Sequence, residues 1–164
     1  MDAVEYYSSI APSYESLYRE EQLGKIREII TVVQPKKSWK ILDIGAGTGL
    51  LEENLKGFDI TALEPSEMFD ILERKKLSRV KLLHKTISQF SSSDKFDAVF
   101  CITVLQDLNK SERRRCIKKA FYYCKKKGVI VISVLKQSNI DLSKLKPVLV
   151  EEAQNDVFYL FKKG

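Results

Sequence analysis

Lys40-Ile41-Leu42-Asp43-Ile44-Gly45-Ala46-Gly47-Thr48-Gly49-Leu50-Leu51 is the stretch whose reading decides the fold. It opens as an apolar run of strand character, passes through glycines at alternate positions, and continues into a helical pattern near Leu50. Glycine serves a physical purpose there. Without a Cβ the chain can take positive φ, turn sharply off the strand and let a ligand lie against bare backbone. Asp43 stands just before the turn, where its carboxylate points toward the same crevice. In open α/β sheets that crevice, outside the carboxyl ends of the strands, is where ligands bind.

An acidic residue followed by Gly-x-Gly-x-Gly resembles the first motif of class I S-adenosylmethionine (SAM)-dependent methyltransferases. A dinucleotide-binding turn, Gly-x-Gly-x-x-Gly, would put its third glycine at Leu50, whereas here it is Gly49. The resemblance implies SAM as cofactor, with Asp43, Gly45, Ala46, Gly47 and Gly49 around it. A second strand over Asp59–Leu63 closes with Glu64-Pro65-Ser66. A carboxylate at Glu64 can accept hydrogen bonds from both hydroxyls of a ribose, each worth roughly 1.5–3 kcal/mol. Methyltransferases and NAD enzymes both use such an acid, so Glu64 and its neighbour Pro65 support adenosine binding without choosing between them.

Ser66, Met68 and Phe69 resemble the methyltransferase run that follows this acid, shortened by one position. Met68 therefore reads either as a cover for the adenine face or as core. Beyond a helix over Asp70–Lys76 and a third strand at Val80–Leu83, the family places an adenine-binding Asp and a backbone donor. Thr86 and Ile87 stand at those positions, and Thr86 keeps a hydroxyl while losing the charge. His84, the single histidine, reads as structural. A fourth strand, Phe96–Cys101, resembles the family's Phe-Asp-x-Val segment, which enters the active site at its far end, and the likeness adds Cys101 to the cofactor set. After it, Gln106 and Asp107 are the polar groups expected nearest the methyl acceptor. Asp107 reads as a base or orienting group for the nucleophile, or as the cap of the next helix.

Upstream, Tyr7, Ile10, Ala11, Tyr14, Leu17 and Tyr18 recur at helical spacing, with Pro12 breaking or restarting the helix. Tyr7, Ala11, Tyr14 and Glu15 resemble the N-terminal segment of methyltransferases related to the ubiquinone and menaquinone biosynthesis enzymes, where it is part of a lid. The stripe is either such a lid over residues 1–34, with Tyr14 a second candidate base, or an aromatic face docked on the sheet. Leu23, Ile26, Ile30 and Val33 carry the helix to Gln34, and Pro35 stops it.

The net charge of +6 is unevenly placed, because Lys110–Lys127 alone carries +8. A helix over Ser111–Lys126 buries Ile117, Ala120, Phe121 and Cys124 and exposes Arg114, Arg115, Lys118 and Lys119. That face is either solvated or a surface for RNA phosphates. Lys127-Gly128 reads as a turn into a fifth strand, Val129–Leu135, and Pro147–Ala153 with Val157–Phe161 reads as a closing antiparallel hairpin.

The whole pattern predicts an α/β fold: a doubly wound, mostly parallel seven-stranded sheet with helices on both faces, in a single methyltransferase domain over residues 1–164. Three cysteines without a Cys-x-x-Cys pair point away from zinc and disulfides and toward a reducing cytoplasm. No apolar run approaches the ~20 residues that cross a bilayer, and the start of the chain has no signal pattern. The expected activity is in-line methyl transfer to a small molecule, with an RNA or protein acceptor, or a SAM-binding subunit inactive without a partner, as the alternatives.

Overall fold

A computed structural model describes residues 2–164. Met1, part of the expected N-terminal cap, lies outside them. The chain forms a seven-stranded sheet of order β3-β2-β1-β4-β5-β7-β6. β1 (Lys40–Ile44), β2 (Asp59–Leu63), β3 (Val80–Leu83), β4 (Phe96–Ile102) and β5 (Cys124–Leu135) run parallel. The hairpin of β6 (Leu149–Ala153) and β7 (Asp156–Lys162) adds antiparallel to β5. This is the doubly wound, mostly parallel sheet that the strand–helix alternation predicts.

Period-two alternation divides the core between the two faces. Ile41, Ile60, Phe100, Val131 and Phe158 meet α1 (Ala3–Val33), α2 (Leu50–Asn54) and α3 (Met68–Arg74) through Ile26, Ile29, Leu51 and Leu72. Leu42, Val99, Cys101, Ile130 and Phe161 turn the other way, onto Cys116, Ala120 and Tyr123 of α4 (Lys110–Tyr123). Strands covered on both faces need near-continuous apolar sequence, which is why β1 and β5 read as they do.

Two local expectations give way. α1 is one helix from Ala3 to Val33, running through Pro12. Pro12 stands exposed in the helix interior, where its missing N–H forgoes the bond to the Ser8 carbonyl, and the helix continues past it. A capping box starts the helix: Asp2 accepts from the Glu5 N–H at 2.9 Å and Glu5 from the Asp2 N–H at 3.0 Å. Gln34 ends it in the left-handed region at φ 48°. The second correction concerns α4, which stops at Tyr123, so that β5 starts at Cys124 and no turn precedes Val129. Lys127 takes φ 64° and the pairing with β4 shifts register between Phe96 and Ala98. A bulge thus absorbs the residues that the Lys127-Gly128 pattern assigns to a turn. Among the described residues, no helix is long and apolar enough to cross a membrane.

Candidate active site

The glycine turn is pulled back over the sheet. The Gly45 and Ala46 N–H groups both donate to the Leu63 carbonyl, at 2.8 and 2.9 Å, tying the exit of β1 to the end of β2. Gly45 and Gly49 hold φ of 77° and 89°. A Cβ on Gly45 would stand 2.6 Å from the Val104 side chain, and one on Gly49 would stand 2.2 Å from Leu72. Both positions therefore demand glycine on conformation and on space.

Below this turn, at the carboxyl ends of β1, β2 and β4, lies a cavity of about 480 Å³. Asp43, Gly45, Ala46 and Gly47 line one side of it, and Glu64, Pro65 and Met68 another. Thr86 and Ile87 close a third side from the loop after β3. Two residues expected in this set do not face it. Gly49 packs on Leu72, so its part is to let the turn meet α3. Cys101 is fully buried on the α4 side, its Sγ 3.8 Å from that of Cys116, because alternation along β4 turns it away. The residues that reach the cavity from that strand end are Ile102, Thr103 and Val104.

Glu64 is held before any ligand arrives. Its Oε2 accepts from the Gly47 N–H at 2.7 Å, and its Oε1 accepts from the Ser66 N–H at 2.8 Å and the Ser66 hydroxyl at 2.6 Å. A carboxylate offers about four acceptor positions, so its orientation is set while capacity remains. Burial raises its pKa against those stabilising bonds. Met68 is buried and lines the cavity, meeting both of the roles open to it. Thr86 is turned into its own loop, where the Gln89 side-chain oxygen accepts from its N–H at 2.9 Å. His84 is structural: its Nε2 lies 3.0 Å from the Pro65 carbonyl and its ring stacks on Phe69 at 4.8 Å.

The sequence carried no warning of Glu52. This α2 residue is buried against Asp43, and neither of its carboxylate oxygens has a hydrogen-bonding partner among the described residues. Burial raises the Glu52 pKa to about 7. Burial, with Glu52 beside it, also lifts Asp43 well above the usual carboxylate range. Two carboxyls this close in a dry site cannot both ionise freely.

A second cavity, of about 630 Å³, adjoins the first and shares Tyr7, Tyr14, Gln22, Thr103 and Asp107 with it. Asp107 lies in a single 3₁₀ turn, Leu105–Asp107, and is not the helix cap. Asn109 caps α4, accepting from the Ser111 and Glu112 N–H groups at 2.9 and 3.0 Å. Asp107 is thus left to the cavity, where the Tyr7 hydroxyl donates to its Oδ2 at 2.7 Å and Gln106 Nε2 donates at 3.3 Å. Partial burial raises the Asp107 pKa, and those two bonds oppose the rise. Burial, then Asp107, drives the Tyr7 pKa up, while burial, then Glu64, does so for Tyr14.

Beneath this cavity runs a polar group of the interior. Lys25 is fully buried, with its Nζ 2.9 Å from Asp156 Oδ1 and 2.5 Å from Thr103 Oγ1. Asp156 Oδ2 accepts from Thr103 Oγ1 at 2.8 Å and from Ser133 Oγ at 2.7 Å. The group binds α1, β4, β5 and β7 together below Thr103, itself in the left-handed region at φ 57°. A lysine beside Ile26 and Ile29 on the inward face of a helix was the available signal.

On α4, Arg114, Arg115 and Lys118 are exposed as expected, but Lys119 is not free. Its Nζ donates to the Ile87, Ser88 and Phe90 carbonyls at 2.8, 2.9 and 2.8 Å, pinning the loop that carries Thr86 and Ile87.

Residues 42–132, more than half of the chain, match the sequence profile of the family described as "Methyltransferase domain". An uncharacterized methyltransferase of Alkaliphilus oremlandii is 24% identical over 136 residues, covering 82% of this chain and 62% of that protein. An uncharacterized protein of Methanocaldococcus jannaschii is 27% identical over 137 residues, covering 82% and 52%. The chain thus spans about half to three-fifths of the length of the curated relatives it matches. Among solved structures, magnesium protoporphyrin IX methyltransferase from Synechocystis with bound SAM aligns with TM-score 0.83 at 12% identity, over 98% of this chain and 95% of that one. The N-methyltransferase NodS from Bradyrhizobium japonicum, in complex with S-adenosyl-L-homocysteine, aligns at 0.72 and 16% identity over 89% and 87%. At these identities the structural likeness speaks for the fold.

Proposed function

This chain belongs to the methyltransferase domain family, and we propose that it transfers a methyl group from SAM to a small-molecule acceptor. The observation that carries the reading is the junction of the two cavities. A glycine-and-carboxylate cradle opens directly onto a tyrosine-lined chamber through Tyr7, Tyr14 and Asp107.

The cradle fits the cofactor. Gly45 and Gly47 present bare backbone to it at φ of 77° and 58°, Glu64 is aimed for a ribose diol, and the Asp43 carboxyl completes that wall. Pro65, Met68, Thr86 and Ile87 would enclose the adenine. When bound, SAM supplies a methyl on a sulfonium sulfur, open to in-line displacement. The chain contributes positioning, which by itself lowers a bimolecular barrier substantially. Asp107, oriented by Tyr7 and Gln106, is the group set to receive a proton from the acceptor. Tyr7 and Tyr14, with pKa values driven upward, stay protonated, so we assign Tyr14 to the wall and not to the base.

In the same reading residues 2–34 form a lid. Ser8 Oγ accepts from the Glu67 N–H at 3.2 Å, and Glu15 and Arg19 make ion pairs with Lys75 and Glu53, tying α1 to α2 and α3 above the cradle. With Lys119 engaged by the Ile87 loop, the expected phosphate-binding set on α4 loses one of its four cations, and a small acceptor is the better fit.

Incubation with methyl-labelled SAM and fractionated cell extract tests this. Label is expected in the small-molecule pool. Label only in a nuclease- or protease-sensitive pool would overturn the acceptor class, and SAM binding with no transfer to any pool would overturn the activity.

A further inference from the structure

The second cavity has a composition that its place beside the cradle does not explain. Tyr6, Tyr7, Tyr14 and Tyr18, all from α1, line it. Their rings touch in sequence, with centroids 5.3 Å apart from Tyr6 to Tyr7, 6.1 Å from Tyr7 to Tyr14 and 5.3 Å from Tyr14 to Tyr18. Tyr6 and Tyr18 remain 43% and 36% exposed, an unusual state for aromatic rings gathered on one helix face.

The charges around the rings are as one-sided as the rings themselves. Asp107 and Glu21 face the cavity, and neither forms an ion pair among the described residues. Lys136 is the single cation of the lining, and Glu152 neutralises it at 2.5 Å. The remaining polar groups are amides and the Thr103 hydroxyl, and Gln106 Oε1 is buried without a hydrogen-bond partner among the described residues. Ring faces carry negative quadrupole density that attracts cations. A chamber lined by tyrosine rings, with two carboxylates outside any ion pair among the described residues, therefore favours a positive occupant and repels a carboxylate or phosphate.

We propose that the tyrosine chamber is a cation site and that the methyl acceptor is a basic amine, held as its ammonium against Tyr6, Tyr7, Tyr14 and Tyr18 and relieved of a proton by Asp107. This rests on the methyltransferase reading and adds the acceptor's class. The ammonium gives one proton to the Asp107 carboxylate, and the freed nitrogen lone pair forms the N–C bond to the methyl. The C–S bond breaks with its electron pair going to sulfur, which becomes a neutral thioether. The product is again a cation, an N-methylammonium, and the proton on Asp107 leaves to solvent. No oxidant, reductant or metal enters the balance.

Choline and its uncharged isostere 3,3-dimethylbutan-1-ol separate cation recognition from shape, since choline carries no nitrogen lone pair and cannot accept a methyl. Their affinities are read by ligand-observed NMR titration of the full chain, with 3,3-dimethylbutanoate as the anionic control. Choline is expected to bind at least 10-fold tighter than the alcohol, and the carboxylate more weakly than either. The exposed-ring double variant Tyr6→Leu/Tyr18→Leu is expected to cut the choline preference to below about 3-fold, whereas Tyr6→Phe/Tyr18→Phe keeps it. Equal binding of choline and the alcohol, tighter binding of the carboxylate, or a preference untouched by loss of the rings would overturn the proposal. Calorimetric titration with SAM on the same samples separates the two readings: SAM binding without choline preference breaks this inference alone, and choline preference without SAM binding breaks the methyltransferase reading while leaving the cation site standing.

Discussion

The two adjoining cavities share Tyr7, Tyr14, Gln22, Thr103 and Asp107, yet they are made by different means. The cradle is chiefly backbone and short-range contact: β1, the glycine turn and the end of β2 lie within residues 40–68, and Glu64 reaches Gly47 and Ser66. The chamber is side chains brought from afar. Tyr7 meets Asp107 across 100 positions, and Asn155 enters from the distant hairpin. A site built on local backbone has one geometry and tolerates little change, whereas a site built on docked side chains depends on whatever holds the docking elements and can change its occupant without changing the fold.

The sharpest way to break that contrast is through the ion pair beneath the chamber. Lys25→Ala leaves Asp156 charged and buried, and is expected to cost about 3–5 kcal/mol in urea unfolding. A loss below about 1 kcal/mol would mean that the docking of α1 does not depend on this contact. Next comes the turn itself. Gly49→Ala meets Leu72 at 2.2 Å in a left-handed conformation and is expected to cost about 2–4 kcal/mol. Gly57→Ala, also at positive φ but 3.5 Å from a flexible Lys37 terminus, serves as its control at about 1 kcal/mol.

The carboxyl pair under the cradle makes stability depend on pH. Burial raises the folded Glu52 pKa from 4.5 to about 7, so the folded state holds the proton more tightly than the unfolded one. This contribution to stability is full below about pH 4.5 and is lost as pH rises through about 7, by on the order of 3 kcal/mol. Glu52→Gln should flatten that slope in denaturation midpoints taken from pH 5 to 8. An unchanged slope would place the titration elsewhere.

Binding offers a smaller effect. Glu64→Ala is expected to weaken SAM by roughly 10- to 100-fold, about 1.4–2.7 kcal/mol, and unchanged affinity by calorimetry would remove the ribose role. Smallest is Tyr7→Phe, which takes one hydrogen bond from Asp107 at a cost of about 1 kcal/mol. Because that bond lowers the Asp107 pKa, its loss should move the acidic limb of the pH–rate profile upward while leaving SAM affinity alone. If SAM affinity falls with turnover, the two cavities are less separable than their construction implies.

Much of this was legible in the chain. The apolar run into Gly45-Ala46-Gly47-Thr48-Gly49, the acid at Glu64 and the alternation of strands with helices define the parallel sheet and locate the cradle, since each is read from residues a few positions apart. Thr86, Ile87 and Met68 were placed by their resemblance to the family's motifs, and all three line the cavity. Cys101 was misplaced because one step along a strand reverses the facing of a side chain. Pro12 did not break α1: the helix runs on past it although the bond to the Ser8 carbonyl is lost there.

Sequence by itself determined the succession of strands and helices, the glycine turn and the acids at Asp43 and Glu64, because periodicity and the conformational freedom of glycine are properties of neighbouring residues. Only the tertiary structure decided that Asp107 faces a cavity and Asn109 caps the helix, that Lys119 serves a loop, that Glu52 shares its burial with Asp43, and that Lys25 pairs with Asp156. Each of these is a partnership between charges and dipoles whose strength depends on distance and on exclusion of water, and neither quantity exists until the chain has folded.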